Sequence, residues 1–194
     1  VEYRVSILFP AALVVLLTLN NTSVPVWCVA ASAMHEAGHF AAMYACGCRP
    51  SAVSIGVFGV SVKQRPEYFG NRVGALTALA GPAVNIVSFA ALLPLCGWSV
   101  PTLVHLVMGV FNLLPIEALD GGRALYYLIA EIKGDRKAEY ICFVTSLLTL
   151  IPLATVGFFL LLRSGYNFTL LAVSVYLGLM IVLKRSFPNS VKEI

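Results

Sequence analysis

Charged residues are scarce in this sequence. Lys, Arg, Asp and Glu together make up 11% of the 194 residues, whereas hydrophobic residues make up 59%. A typical soluble domain has about 25% charged and about 45–50% apolar residues, so too few charges are present to cover a water-facing surface. The shortage excludes a disordered chain, which needs low hydrophobicity, and an ordinary soluble enzyme. A chain of this composition is expected to be solvated by lipid.

Cysteines are few, and their number is odd. The five cysteines are Cys28, Cys46, Cys48, Cys96 and Cys142. Most lie in apolar stretches, so we interpret them as small, reduced hydrophobic side chains. Cys46 and Cys48 form a C-x-C at the end of a predicted helix. No second cysteine pair accompanies them, which disfavours a cysteine metal site.

Long apolar stretches predict six membrane-spanning helices. A bilayer core needs about 20 apolar residues per helix. The six stretches cover residues 7–19, 24–47, 73–96, 101–114, 140–162 and 166–183. Pro115 ends the fourth, and a helix is expected to resume over 122–132. The predicted fold class is an all-α polytopic membrane protein, with residues 1–194 forming one integral membrane domain.

The segment 51–64 has a different pattern from the apolar helices around it. Val53, Ile55 and Val57 alternate with small residues, and Val60 and Val62 continue the alternation. A period of two is typical of a strand. The pattern therefore predicts a small membrane-associated β-hairpin after the second helix.

Basic residues are concentrated on one side of the predicted topology. With six crossings, twelve of the 13 Lys and Arg residues fall at the termini or in the loops after helices 2 and 4, and only Arg163 falls on the other side. Such an excess marks the cytosolic side of a membrane. We therefore expect a multi-pass protein of the cell membrane with both termini cytosolic. The net charge of +4 is then a feature of topology, and no nucleic-acid partner is predicted.

The second predicted helix carries the motif H-E-x-x-H, formed by His35, Glu36 and His39. Residues four apart lie on one helix face, so both imidazoles can reach a single Zn²⁺. Glu36 lies beside them and can accept a proton from water. The alternative is two polar core histidines and an unrelated glutamate. Ionisable groups are costly inside a membrane, and three together favour the metal site.

A catalytic zinc site needs a third protein ligand and one open position. The other ionisable candidates expected within the membrane are His105 in the fourth span and Glu117 and Asp120 just after it. Asp120 follows Pro115 and precedes two glycines, and irregular backbone at membrane depth is tolerated where it lines a cavity or is buried in protein. The alternative is a turn at a polar interface. His105 fits packing or a polar contact between helices better than ligation.

Two motifs together resemble the site-2 protease family of intramembrane zinc metalloproteases. They are H-E-x-x-H and N-x-x-P-x-x-x-L-D-G-G, which starts at Asn112. A third, the segment 81–85, resembles the G-P-x-x-N of that family. The likeness is to its short bacterial branch, which includes the sporulation protease that acts on a sigma-factor precursor. Ala118 and Glu117 depart from the family pattern.

The resemblance implies a three-helix catalytic core with its hairpin over residues 24–134. Residues 1–23 would then supply the first span and a turn, and residues 135–194 two further spans and a tail. It also implies one Zn²⁺ held by His35, His39 and Asp120, with Glu36 as the catalytic base.

The function implied is an endopeptidase that cleaves a membrane-associated client protein within or near its transmembrane segment, in regulated proteolysis of a transcription or sigma factor. The residues expected to bind substrate are Asn85, Asn112, Val60 and Val62. Interhelical hydrogen bonding is the alternative for the two asparagines. Strand addition at the hairpin edge is the role expected of the two valines, against an incidental interfacial loop. The rival function is a metal transporter or metal-binding membrane protein, which leaves Glu36 without a role.

Overall fold

The computed structural model describes residues 2–5, 23–48, 50–56, 59–64 and 70–186. The first predicted span, over 7–19, lies outside these residues. Within them the chain forms six helices and three strands. The chain divides into two compact units, Val1–Asn112 and Leu113–Ile194.

The helices of the first unit are α1 (Val24–Ala45), α2 (Asn71–Cys96) and α3 (Val100–Asn112). Pro25 lies in the first turn of α1, where its missing N–H costs no hydrogen bond. The helix α1 packs against α2 through glycine. A Cβ at Gly38 would lie 2.8 Å from the carbonyl oxygen of Ala80. The absence of side chains at this crossing brings the two backbones close together, and α1 carries both histidines of the motif to that crossing.

The helix α3 packs against α2 through a second glycine contact. A Cβ at Gly109 would lie 2.8 Å from Cδ1 of Ile86 and 3.3 Å from the Cβ of Asn85. Polar side chains are buried where these helices meet. Asn85 and Thr102 have no exposed surface, and His105 is also buried. The first unit therefore has polar groups inside an apolar helical packing.

Three short strands complete the first unit. They are β1 (Glu2–Val5), β2 (Pro50–Gly56) and β3 (Gly59–Gln64), in the order β1-β2-β3. The strand β1 is parallel to β2, with Tyr3 opposite Val53. The strand β2 is antiparallel to β3, with Val53 opposite Val62. The N-terminal strand thus belongs to the same sheet as the segment after α1.

The second unit contains α4 (Asp120–Lys133), α5 (Asp135–Ser164) and α6 (Thr169–Ser186). Gly134 alone separates α4 from α5, and its φ of +78° is one that glycine adopts without strain. A Cβ at Gly157 would lie 2.6 Å from the backbone nitrogen of Leu171, so α5 and α6 pack closely. Cys142 of α5 is buried and donates from Sγ to the carbonyl oxygen of Gly122, at 3.7 Å.

The predicted fold class, six membrane-spanning helices with a β-hairpin, is wrong. Among the described residues, two helices are long and apolar enough to cross a membrane, Asn71–Cys96 and Asp135–Ser164. The predicted fourth span is instead the 13-residue α3, which ends before Pro115. The charged motif lowers the hydropathy of α1 below that of a typical span.

The predicted β-hairpin after the second helix is also wrong as a description of the strands, because the sheet has three strands. A third strand, β1, pairs with β2 through backbone hydrogen bonds. The prediction failed because Glu2–Val5 is too short to give a strand pattern, and a pairing between residues some 50 positions apart leaves no local signal.

Candidate metal centre

The two histidines of the motif converge on one point. The helical spacing of four residues places His35 and His39 one turn apart, and their Nε2 atoms are 3.1 Å apart. Their rings meet edge to face, with centroids 4.7 Å apart. Two nitrogens bound to a tetrahedral zinc at about 2.0–2.1 Å are about 3.3 Å from each other. The pair is therefore arranged closely enough to share one ion.

His39 is oriented by the backbone of α2. Its Nδ1 donates a hydrogen bond to the carbonyl oxygen of Thr77 at 2.7 Å. A carbonyl only accepts, so the ring proton of neutral His39 is on Nδ1 and the lone pair of Nε2 is available for a metal. Gly81 makes room for this ring, because the atoms nearest to an added Cβ would be Nε2 and Cε1 of His39.

His35 is oriented by a chain of buried side chains. Asn85 Nδ2 is 3.1 Å from His35 Nδ1, and His105 Nδ1 is 3.1 Å from Asn85 Oδ1. The exposed fractions are 6% for His35, 0% for Asn85 and 3% for His105. The sequence predicted a polar helix contact for His105, but it did not identify Asn85 as its partner. The sequence signal for this contact was that Asn85 and His105 are both polar residues within apolar helices, 20 positions apart.

Glu36 and the predicted substrate residues occupy different environments. Glu36 is half-buried, beside the buried His35. Asn112 ends α3, is half-buried and donates from Nδ2 to the carbonyl oxygen of Met108 at 3.0 Å. Val60 and Val62 belong to β3, and their side chains lie outside the described part of the chain. Substrate binding by these residues and by Asn85 stays a prediction.

In the second unit, Asp120 is the first residue of α4 and is buried, with 7% of its surface exposed. A carboxylate at a helix N-terminus is favoured by the helix dipole. The preceding loop folds back onto the first turn of α4, where the nearest atoms to an added Cβ would be backbone atoms of Leu113 for Gly121 and of Ile116 for Gly122. Ile116 is fully buried. The two glycines are thus required by close packing of the loop that carries Asp120.

Glu117, the unusual charge in this loop, contacts α5 and α6. Its Oε1 is 3.6 Å from Nη2 of Arg185, and its backbone N–H donates to Oγ of Ser146 at 2.9 Å. The Arg185 guanidinium lies 3.6 Å from the ring centroid of Phe143. Sequence reasoning found no role for Glu117, because its partners are 29 and 68 residues further along the chain.

The comparisons with known proteins agree with this chemistry. The family model of Peptidase family M50 matches residues 94–153. A protein described as a zinc metalloprotease from Synechocystis sp. is 30% identical over 113 residues, which is 53% of this chain and 30% of the relative. Another from Ralstonia nicotianae is 36% identical over 69 residues, 34% of this chain and 15% of the relative. The chain thus spans less than a third of the length of either relative.

A solved structure has a similar fold. The site-2 protease from Methanocaldococcus jannaschii matches with a TM-score of 0.59 and 21% identity, over 88% of this chain and 83% of that one. At this identity the match shows a similar fold. Both relatives are described as zinc metalloproteases.

Proposed function

We propose that this protein is an intramembrane zinc endopeptidase. The observation that carries the proposal is the convergence of the His35 and His39 Nε2 atoms, 3.1 Å apart, within H-E-x-x-H. Each ring is held at Nδ1 by a separate partner on α2. Outer partners of this kind are typical of metal-ligating histidines, because they fix the ring and its tautomer.

His35, His39 and Asp120 are the proposed zinc ligands. The two histidine Nε2 atoms are 3.1 Å apart, and Asp120 is proposed as the third ligand from its place in the motif that starts at Asn112. Two imidazole nitrogens and one carboxylate oxygen are a donor set that suits a catalytic zinc with a fourth position open. The residues present therefore fit one Zn²⁺.

Glu36 is the proposed catalytic base. Bound zinc lowers the pKa of water toward neutrality and polarises a carbonyl. The Glu36 carboxylate accepts the proton of the attacking water and then returns it to the leaving amine of the cleaved peptide. Glu36 is half-buried and adjacent in sequence to the proposed ligand His35.

The proposed substrate is a membrane-associated protein, cleaved within or near its transmembrane segment. The apolar exterior supports this, since Leu76 and Val87 of α2 and Leu148 and Ile151 of α5 are 60–67% exposed. Apolar helix faces of this kind suit lipid and a client helix. A transcription or sigma factor is the proposed client class, and it follows from the resemblance of the motifs to the short bacterial branch.

The test is co-expression of single-span client proteins with the wild type or with Glu36→Gln. Glutamine keeps the size of the side chain but cannot accept the proton, so shortened client should appear with the wild type and fall at least about 100-fold in the variant. Glu139→Gln, on the exposed start of α5, is the matched control and should cleave as the wild type does. Mass spectrometry of the products locates the cut.

Two results would contradict the proposal. One is equal cleavage by wild type and Glu36→Gln. The other is zinc transport into vesicles by both proteins without cleavage of any client, which would favour the metal transporter.

A further inference from the structure

His35, Asn85 and His105 form a series of buried hydrogen bonds. This series affects which ring nitrogen of His35 carries the proton. Ligation through Nε2 of His35 places the ring proton on Nδ1, where it needs an acceptor. The group facing Nδ1 is the side-chain amide of Asn85, at 3.1 Å. This amide offers an oxygen or, after a half turn, an NH₂ group at nearly the same position. Its orientation therefore determines which His35 tautomer is stable.

The two orientations of the Asn85 amide require opposite tautomers of both histidines. In the orientation of the structure, Asn85 Nδ2 donates to His35 Nδ1, and His105 Nδ1 donates to Asn85 Oδ1. His35 then carries its proton on Nε2, which donates to Nε2 of His39 at 3.1 Å. In the turned orientation, His35 Nδ1 donates to the amide oxygen, and the amide NH₂ donates to His105 Nδ1. Only this second arrangement leaves Nε2 of both His35 and His39 available as ligands.

We propose that Asn85 and His105 are positioning residues, and that the orientation of the Asn85 amide sets the tautomer of His35 that ligates zinc. The inference rests on the proposed function, since it assigns His35 to the zinc. His105 completes the arrangement because its Nδ1 can either donate or accept, so the amide is satisfied in both orientations. A residue that only donates or only accepts would oppose one of them.

Because these hydrogen bonds are buried, they are expected to affect zinc affinity. Asn85 and His105 are 0% and 3% exposed, so no bulk water is at hand to replace a lost partner. A buried Nδ1–H without an acceptor is unfavourable, because it has lost water and gained no other partner. Removal of the amide therefore destabilises the His35 tautomer that binds zinc. Asn85 and His105 are not proposed as ligands themselves.

The experiment measures zinc affinity by chelator competition on the purified full chain in detergent. Asn85→Leu removes the acceptor at similar volume and should lower zinc affinity about 10- to 100-fold. Asn85→Asp keeps an acceptor for His35 Nδ1 and should stay within about threefold of the wild type. His105→Leu should have an intermediate effect. Thr102→Val, which removes a buried hydroxyl one turn earlier on α3, is the matched control and should bind zinc as the wild type does.

Two spectroscopic measurements separate positioning from folding. The visible absorption of Co²⁺-substituted protein should change in Asn85→Leu and not in Thr102→Val. The ring ¹⁵N shifts of His105 in the zinc-bound protein should report its proton on Nε2, because the amide orientation that suits zinc donates to His105 Nδ1. A proton on Nδ1 of His105 in the zinc-bound protein would overturn this amide orientation. Unchanged zinc affinity in Asn85→Leu, or equal losses in the Leu and Asp variants, would overturn the positioning role. The proposed function fails separately, if the wild type neither binds zinc nor cleaves a client.

Discussion

At the scale of single residues, the candidate metal site depends on the hydrogen bonds and packing that orient each proposed ligand. His39 is fixed by a backbone carbonyl and His35 by a side-chain amide. Asp120 lies at a helix N-terminus. A metal site made in this way depends on each ligand and on the small residues that give the ligands room.

Each proposed ligand should be required for metal binding. Changing His39 or Asp120 to Ala removes one of three protein bonds and should lower the zinc content of the purified protein to below about a tenth of wild type. Glu36→Gln should retain its zinc and lose turnover. Elemental analysis of the three variants is the measurement. A full zinc complement in Asp120→Ala would remove that residue from the site.

Gly81 should be as sensitive as a ligand, although it binds nothing. The atoms nearest to an added Cβ would be those of the His39 ring, and His35 Nε2 would be 2.8 Å away. Gly81→Ala should therefore displace both rings and lower zinc affinity at least about tenfold. Gly178→Ala in α6 is the control, because an added Cβ there meets no atom within 4 Å. Comparable affinity in both variants would mean that the rings tolerate displacement.

At the scale of elements, an ion pair between Glu117 and Arg185 connects α6 with the loop that precedes α4. The ion pair is 3.6 Å long, and the Arg185 guanidinium also lies over Phe143. The Arg185 side chain is 45% exposed, so solvent screens the pair and reduces its contribution to stability.

A double-mutant cycle with Glu117→Gln and Arg185→Gln should give a coupling free energy of about 0.5 kcal/mol. Thermal unfolding in detergent measures it, and higher salt should reduce it. Arg163→Gln in place of Arg185→Gln is the control and should show no coupling to Glu117. A coupling of zero at low salt would show that the pair contributes nothing to holding the loop.

At the scale of the whole molecule, membrane topology follows from the distribution of charge. Twelve of the 13 basic residues lie near the termini or in the segments 49–72 and 123–137, and Arg163 is the exception. Two of the described helices meet the length and hydropathy expected of a span. We therefore expect both termini to be cytosolic because of the asymmetric distribution of basic residues.

Single cysteines introduced near residues 4 and 190, in a background without the five native cysteines, should be labelled only from the cytosolic face. A cysteine at position 167, near Arg163, should be labelled only from the outside. Labelling of either terminus from the outside would contradict the predicted orientation. Labelling of position 167 from the cytosol would contradict the count of crossings between it and the termini.

The sequence by itself determined the spacing of two candidate metal ligands on one helix. The spacing of His35 and His39 is a local property of one helix, so it predicted the shared face that the structure has. Local apolar patterns likewise located α2 and α5 to within a few residues of their ends. They overestimated the number of membrane-length helices, because an apolar run does not reveal that α3 stops after 13 residues.

Tertiary structure alone decided the contacts between distant segments. The pairing of β1 with β2, of Asn85 with His35 and His105, and of Glu117 with Arg185 joins residues 20 to 68 positions apart. No local pattern encodes such contacts, because they depend on how helices and strands pack rather than on the propensity of either partner. The sequence therefore specified the candidate metal ligands, and the packing of α1 against α2 and α3 determined how two of them, His35 and His39, are oriented.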